Sequence, residues 1–303
     1  MSRIAGIVAH PVTTYADLNR LKQSLLLCDL VGFFALDSQI ASLRKHSFRY
    51  PVMGHIANEL EYLLNAGYLI EALKRGERFS FSANSPVAAE FLREGEIINR
   101  VTSKMKDKRY NVLRAEKDAD VMWEAEARLA CLKLNHEEND FSAVPLIKQL
   151  RLPKESNTTK KDVVNMIINN MPIPDEQVPW ESILEFKANP DNKGRLSMLK
   201  DWMNKTVSSD RPASEVADEL ESLLYLYTKS LDIHKIKHKT GFLQTFVLGG
   251  AELIENLLKL NLSSVAKTLL SARVSQAELY SAELSSPGNA LAYIYQAGQK
   301  FNK

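Results

Sequence analysis

An apolar stretch, a helical stretch and a second apolar stretch fill the first 36 residues, and this succession restricts the fold more than any other feature of the chain. Ile4–Ala9 is short, rich in β-branched residues and without a helical period, so it reads as a strand. Thr14 offers an N-cap with Asp17 three residues on, close to a capping box. Leu18, Leu21, Leu25 and Cys28 follow at helical spacing and predict a helix over Tyr15–Asp29. Leu30–Leu36 (LVGFFAL) is a continuous apolar run between Asp29 and Asp37, as a buried strand would be. Strand, helix and strand at this spacing make a βαβ unit, which favours parallel strands. The first turn is His10-Pro11-Val12-Thr13-Thr14. It has no glycine to let a phosphate approach the backbone, and this argues against a dinucleotide site.

At 303 residues the chain is long enough for one large domain or two ordinary ones. Residues 1–150 carry 20 Lys and Arg against 19 Asp and Glu, and residues 151–303 carry 19 against 18. Neither half is a polyanion-binding module by charge alone, and there is no acidic tail. The two cysteines, Cys28 and Cys131, sit far apart in apolar helical contexts and are expected to be buried, reduced thiols of a cytoplasmic protein. The N-terminal apolar patch before His10 is too short for a signal-peptide core. The longest charge-free apolar run, Thr240–Ala251, falls short of the about twenty residues that span a bilayer, so no transmembrane segment is expected.

Further along, Pro51 opens a predicted helix with Val52, Ile56, Leu60 and Leu63 on one face and Gly67 past its end. Pro86 starts another, with Val87, Phe91, Ile98, Val101 and Met105 on its stripe. The polar stretch between Met105 and Asp120 reads as an exposed turn or loop, and Ala119–Leu134 as a helix. Ala143–Leu150 fits an edge strand, since Pro145 would be awkward in a central one. Arg151–Thr159 has the composition of a linker, dividing a mixed α/β region (1–150) from a helical one (151–303), although one continuous domain also fits. In the second region helices are expected over Lys160–Asn169, from Trp180, over Lys193–Lys205 and from Ser209 or Asp210. Others are expected over Phe242–Leu260, Ser263–Ala272 and Gln276–Leu284. Asn289–Gln296 (NALAYIYQ) alternates Leu291, Tyr293 and Tyr295 with Ala292 and Ile294, which predicts a final strand. The expected fold is α+β and predominantly α-helical, with a small sheet from the N-terminal βαβ unit and the C-terminal strand.

Met171–Met203 holds four of the eleven prolines and two of the three tryptophans. Pro172, Pro174 and Pro179 enforce an extended connector. Trp180, Phe186 and Trp202 are expected to anchor the helical half on the βαβ half. The same stretch carries a pattern of catalytic form: Pro174-Asp175, then Glu185-Phe186-Lys187, matches the PD-(D/E)xK nuclease signature. Two carboxylates would hold Mg²⁺ at the scissile phosphate and the lysine would position water. That chemistry needs Glu185 and Lys187 on a strand, where alternation aims both at the metal. The Pro-Trp start and Asn-Pro end favour a helix instead, on which the two point roughly 200° apart.

His234 and His238 share a helix face at metal-ligand spacing, but Lys235, Lys237 and Lys239 around them disfavour a dication. The expected reading is a positive helix end offsetting its own dipole. Lys235, Lys237, His238 and Lys239 are the candidate phosphate contacts, against which stands the want of interleaved aromatic residues. His55 and Glu59 form a helical pair expected to share a local contact. Gly249-Gly250 within the charge-free run lets another backbone approach closely, and makes Phe242, Phe246, Gly249 and Gly250 the candidate interface. No metal or cofactor is expected.

Leu21–Phe33 (LKQSLLLCDLVGF), a Leu60-Glu61-Tyr62-Leu63 helix ending in Ala66-Gly67, the Ile183–Lys187 segment (ILEFK) followed by a helix, and a closing Pro287-Gly288-x-x-Leu291-Ala292-Tyr293 occur in this order. The arrangement resembles a group of uncharacterised bacterial proteins of unknown function, over most of the chain. The resemblance implies a bacterial accessory protein in a mobile-element or phage-defence context and brings no catalytic residues. The leading expectation is a non-enzymatic intracellular interaction protein, a sensor or structural subunit of a defence-type assembly that contacts a protein partner or itself. The alternatives are the Asp175, Glu185, Lys187 nuclease and a nucleic-acid-binding protein.

Overall fold

Four strands, β1 (Arg3–Val8), β2 (Leu30–Phe34), β3 (Leu69–Leu73) and β4 (Phe141–Leu146), form one parallel sheet in the order β3-β2-β1-β4. The computed structural model describes residues 3–74, 77, 86–105, 112–137, 140–147, 158–233 and 286–301. The chain is α+β and predominantly helical. It divides into two compact units, Met1–Arg151 and Leu152–Lys303.

In the first unit α1 (Tyr15–Leu27) joins β1 to β2, and α2 (Leu36–His46) with α3 (Pro51–Asn65) joins β2 to β3. Then α4 (Pro86–Met105) and α5 (Val112–Glu137) precede β4. Local chemistry sets these boundaries. Thr14 and Asp17 close a full capping box on α1. Pro51 takes the first position of α3, where its missing N–H costs nothing. Gly67, at φ 77°, turns the chain from α3 towards β3. The second strand is shorter than Leu30–Leu36, because Ala35 adopts a left-handed conformation (φ 50°) and swings the chain straight into α2. Its N–H donates to the Leu73 carbonyl at 2.7 Å, fixing that corner to β3.

The two faces of the sheet are dressed differently. Ala5, Ile7, Ala9, Leu30, Ala72 and Ala143 pack with Ala127, Ala130 and Leu134 of α5. Gly6 looks the other way, where a Cβ would fall 2.7 Å from Cys28 Sγ at the end of α1. Small side chains on the α5 face let that long helix lie close across the strands. Completely buried Ile7 alone accounts for about 1.5–3 kcal/mol of hydrophobic stabilisation. β4 is an edge strand with Pro145 in it, as its missing N–H requires, but it runs over Phe141–Leu146 rather than Ala143–Leu150.

In the second unit α6 (Lys160–Asn170), α7 (Trp180–Ala188), α8 (Pro190–Val207) and α9 (Ala213–Ile233) precede a 3-10 turn (Asn289–Leu291) and α10 (Ala292–Phe301). Met171–Pro179 is a non-helical connector, as its prolines dictate. Trp180, Ile183 and Phe186 are buried along α7. The Phe186 ring lies 5.4 Å from Tyr293 and 5.3 Å from Phe301. Tyr227 meets Tyr295 edge-on at 5.5 Å. Trp202 is half-buried and its Nε1 donates to Glu219 at 3.4 Å. Phe186 and Trp202 thus find these partners inside the second unit.

The expected C-terminal strand is overturned. Asn289–Gln296 is a 3-10 turn running into α10, and among the described residues the sheet contains no strand from this end of the chain. Leu291 to Tyr295 are all buried, so the apparent two-residue alternation marks no solvent face and carried no strand signal. The helices expected over Phe242–Leu260, Ser263–Ala272 and Gln276–Leu284 lie outside the described residues. No described helix is long and apolar enough to cross a membrane.

Candidate functional site at the carboxyl edge of the sheet

In parallel sheets of this kind ligands bind beyond the carboxyl ends of the strands, where the strand order reverses. Here that point lies between β1 and β4. The chain leaves β1 through Ala9 and His10, and His10 is only 8% exposed. Its ring meets Trp123 of α5 edge-on, with centroids 5.5 Å apart. Its Nδ1 stands 3.5 Å from Asp120 Oδ1, one turn earlier on the same helix. The indole edge and the carboxylate hold this imidazole as a packed strand-end residue.

Helix α1 begins just beyond, and a capping box sits at its start. Thr13 and Thr14 N–H both donate to Asp17 Oδ2 at 3.0 Å, and the Asp17 N–H donates to Thr14 Oγ1 at 3.2 Å. An incoming phosphate would meet the Asp17 carboxylate at this helix start, and the like charges would repel. The carboxylate thus occupies the place where a glycine-rich turn would bring a phosphate to the backbone. Thiol chemistry is also disfavoured: Cys28 and Cys131 are buried and in no disulfide, and burial pushes the Cys131 thiol far up, keeping it protonated.

The nuclease pattern does not assemble. Asp175 is exposed in the connector, and its Oδ1 accepts from the Gln177 and Val178 N–H groups at 2.9 and 3.2 Å, an Asx turn. Glu185 and Lys187 lie on α7, two residues apart and therefore about 200° apart around the helix. The strand alternation that would aim both at one metal is missing. Among the described residues no three His, Cys, Asp or Glu side chains gather in a way that could hold a metal ion. His55 and Glu59 do pair locally, at 3.5 Å. The candidate phosphate contacts Lys235, Lys237, His238 and Lys239 lie outside the described residues, as do the interface candidates Phe242, Phe246, Gly249 and Gly250.

Sequence reading passed over the turn between α2 and α3, Arg44-Lys45-His46-Ser47-Phe48-Arg49-Tyr50. Cations in the last turn of α2 offset its dipole. Arg44 then forks onto Glu61 of α3 through Nε and Nη2, tying the two helices at this end. Ser47 Oγ donates to the Arg44 carbonyl at 2.7 Å, and the Arg49 and Tyr50 N–H groups donate to the His46 carbonyl at 3.1 and 3.0 Å. The turn is thus internally hydrogen-bonded, yet Phe48 at its tip is 101% exposed and Tyr50 is 45% exposed. The Arg49 guanidinium lies over the Tyr50 ring, 5.5 Å from its centroid. Leaving a phenylalanine in water forgoes about 1.5–3 kcal/mol of burial. Interleaved cations and rings within seven residues are its one trace in the sequence, and they do not by themselves tell an exposed ring from a packed one.

Topology puts this turn at the carboxyl edge too. β3 runs parallel to β2, so α3 must return the chain to the amino edge, and its first residues lie at the opposite end. Tyr15, at the start of α1, accordingly touches His55 of α3 at 5.6 Å between ring centroids. Comparison with protein-family models, with characterised proteins and with solved structures gave no match.

Proposed function

We propose that the protein works by binding a macromolecule through the Phe48–Tyr50 turn of its first unit, as an interaction protein rather than an enzyme. One observation carries this reading: a fully exposed phenylalanine at the tip of a turn whose backbone is held by its own hydrogen bonds. A tip built only to connect two helices gains nothing from an aromatic ring in water, whereas a contact surface recovers that burial on binding. The closed start of α1 and the packed His10 support binding here over small-molecule chemistry at the strand ends. The intracellular, bacterial and defence-type setting belongs to the same proposal and rests on the motif resemblance alone.

The test is a photo-reactive benzoylphenylalanine at position 48, compared with one at the exposed control position Ser208, irradiated in cells producing the full chain. A discrete higher-mass adduct from position 48 and none from position 208 is expected. No adduct, or the same diffuse labelling from both positions, overturns the reading.

A further inference from the structure

We infer that the partner at this turn is single-stranded nucleic acid, an inference that rests on the turn being the contact surface and adds the chemistry of its occupant. Arg44–Tyr50 holds three permanent cations, an imidazole and two aromatic rings, and no carboxylate. A single strand presents the two matching groups together, a phosphate at every step and bases with open faces. The objection to the His234–Lys239 run, cations without interleaved rings, does not apply here.

The turn's own geometry sorts its cations. Arg44 is committed to Glu61, which turns it towards α3. Lys45 is exposed and has no acidic partner among the described residues. Arg49 stays beside the Tyr50 ring, a flat cation on a flat ring, the pairing on which bases stack. Phe48 offers both faces of its ring to solvent, with neither a hydrogen bond to make nor a pocket wall around it. A duplex keeps its bases stacked inside and gives that ring nothing to face. An acidic protein surface would satisfy Lys45 and Arg49 but would leave the open ring without a matching plane. The strand satisfies both.

The experiment is fluorescence anisotropy of a short fluorescein-labelled oligothymidylate titrated with the full chain, in parallel with the duplex of the same length. Saturable binding of the single strand is expected, with Phe48→Ala weakening it about tenfold, the loss of one stacked base. Lys45→Ala is expected to flatten the slope of log affinity against log salt by about 0.7, one phosphate contact on a single strand. Phe48 is wholly exposed, so an unchanged melting temperature will show that the variant is folded. Binding that survives Phe48→Ala intact, as a purely basic run elsewhere in the chain would give, overturns the inference; so does preference for the duplex. Competition by polyglutamate equal to that by unlabelled oligothymidylate assigns the turn to an acidic protein and also overturns it. The contact-surface reading fails separately, by the absence of an adduct from position 48.

Discussion

A Cβ on Gly32 would stand 2.5 Å from Ile7 Cδ1, its neighbour in register on β1. Ala72 Cβ would be 3.1 Å away on the other side. Gly32 is therefore the gap into which the Ile7 side chain fits beneath α5, and the sheet face has no spare volume there. Gly32→Ala is expected to destabilise the first unit by about 1–3 kcal/mol through overpacking, read as a lower urea midpoint. An unchanged or raised midpoint would contradict the close packing of α5.

Trp180 is 5% exposed at the start of α7 and leads a buried row with Ile183 and Phe186. Trp180→Ala is expected to cost about 3–5 kcal/mol, as the loss of a large buried side chain does. A denaturant titration showing less than about 1 kcal/mol would remove Trp180 from the core of the second unit.

How much of this was legible follows the local physics. The first βαβ unit was readable because each part has its own signal: β-branched residues for β1, an apolar run between aspartates for β2, Thr14 with Asp17 for the cap, a leucine period for α1. The short β3 was not. Leu69–Leu73 (LIEAL) alternates poorly, and only its pairing with β2 makes it a strand. Asn289–Gln296 failed for the opposite reason, since five consecutive buried residues erase the periodicity that tells helix from strand. That Glu185 and Lys187 lie on a helix was readable from the Pro-Trp start of α7, because a helix start is a local matter. The Arg44–Tyr50 turn was missed as a site because exposure of Phe48 depends on what does not pack on it, which no spacing encodes.

Burial is the largest influence on the Cys131 thiol, outweighing the nearby Arg128 charge, and it keeps the thiol protonated well above neutral pH. Native protein at pH 7.5 is therefore expected to resist iodoacetamide at Cys131, with alkylation appearing only in denaturant. Rapid native labelling at Cys131, followed by mass spectrometry, would show that the α5 face of the sheet opens readily.

The Glu77 carboxyl is held below its usual value, first by a hydrogen bond from Lys133 Nζ on α5 and then by the Lys74 N–H. Its folded value lies below the unfolded one of about 4.5, so the unfolded chain takes up the proton first as pH falls. The pair's stabilisation is complete above the unfolded value and disappears as pH drops through the folded one. Glu77 is exposed, so the size of this stabilisation is about 0.2–1 kcal/mol. Glu77→Gln should lower stability at pH 7 and change little at a pH below both values. An equal loss at both would mean the effect is not ionic.

Phe48 itself is expected to meet the partner, and a tryptophan placed there reports on that contact directly. In Phe48→Trp, titration with oligothymidylate is expected to quench the new indole saturably, while Trp123, Trp180 and Trp202 of the unsubstituted chain stay unchanged. Oligonucleotide binding that leaves the fluorescence of Trp at position 48 untouched would place the contact elsewhere on the protein.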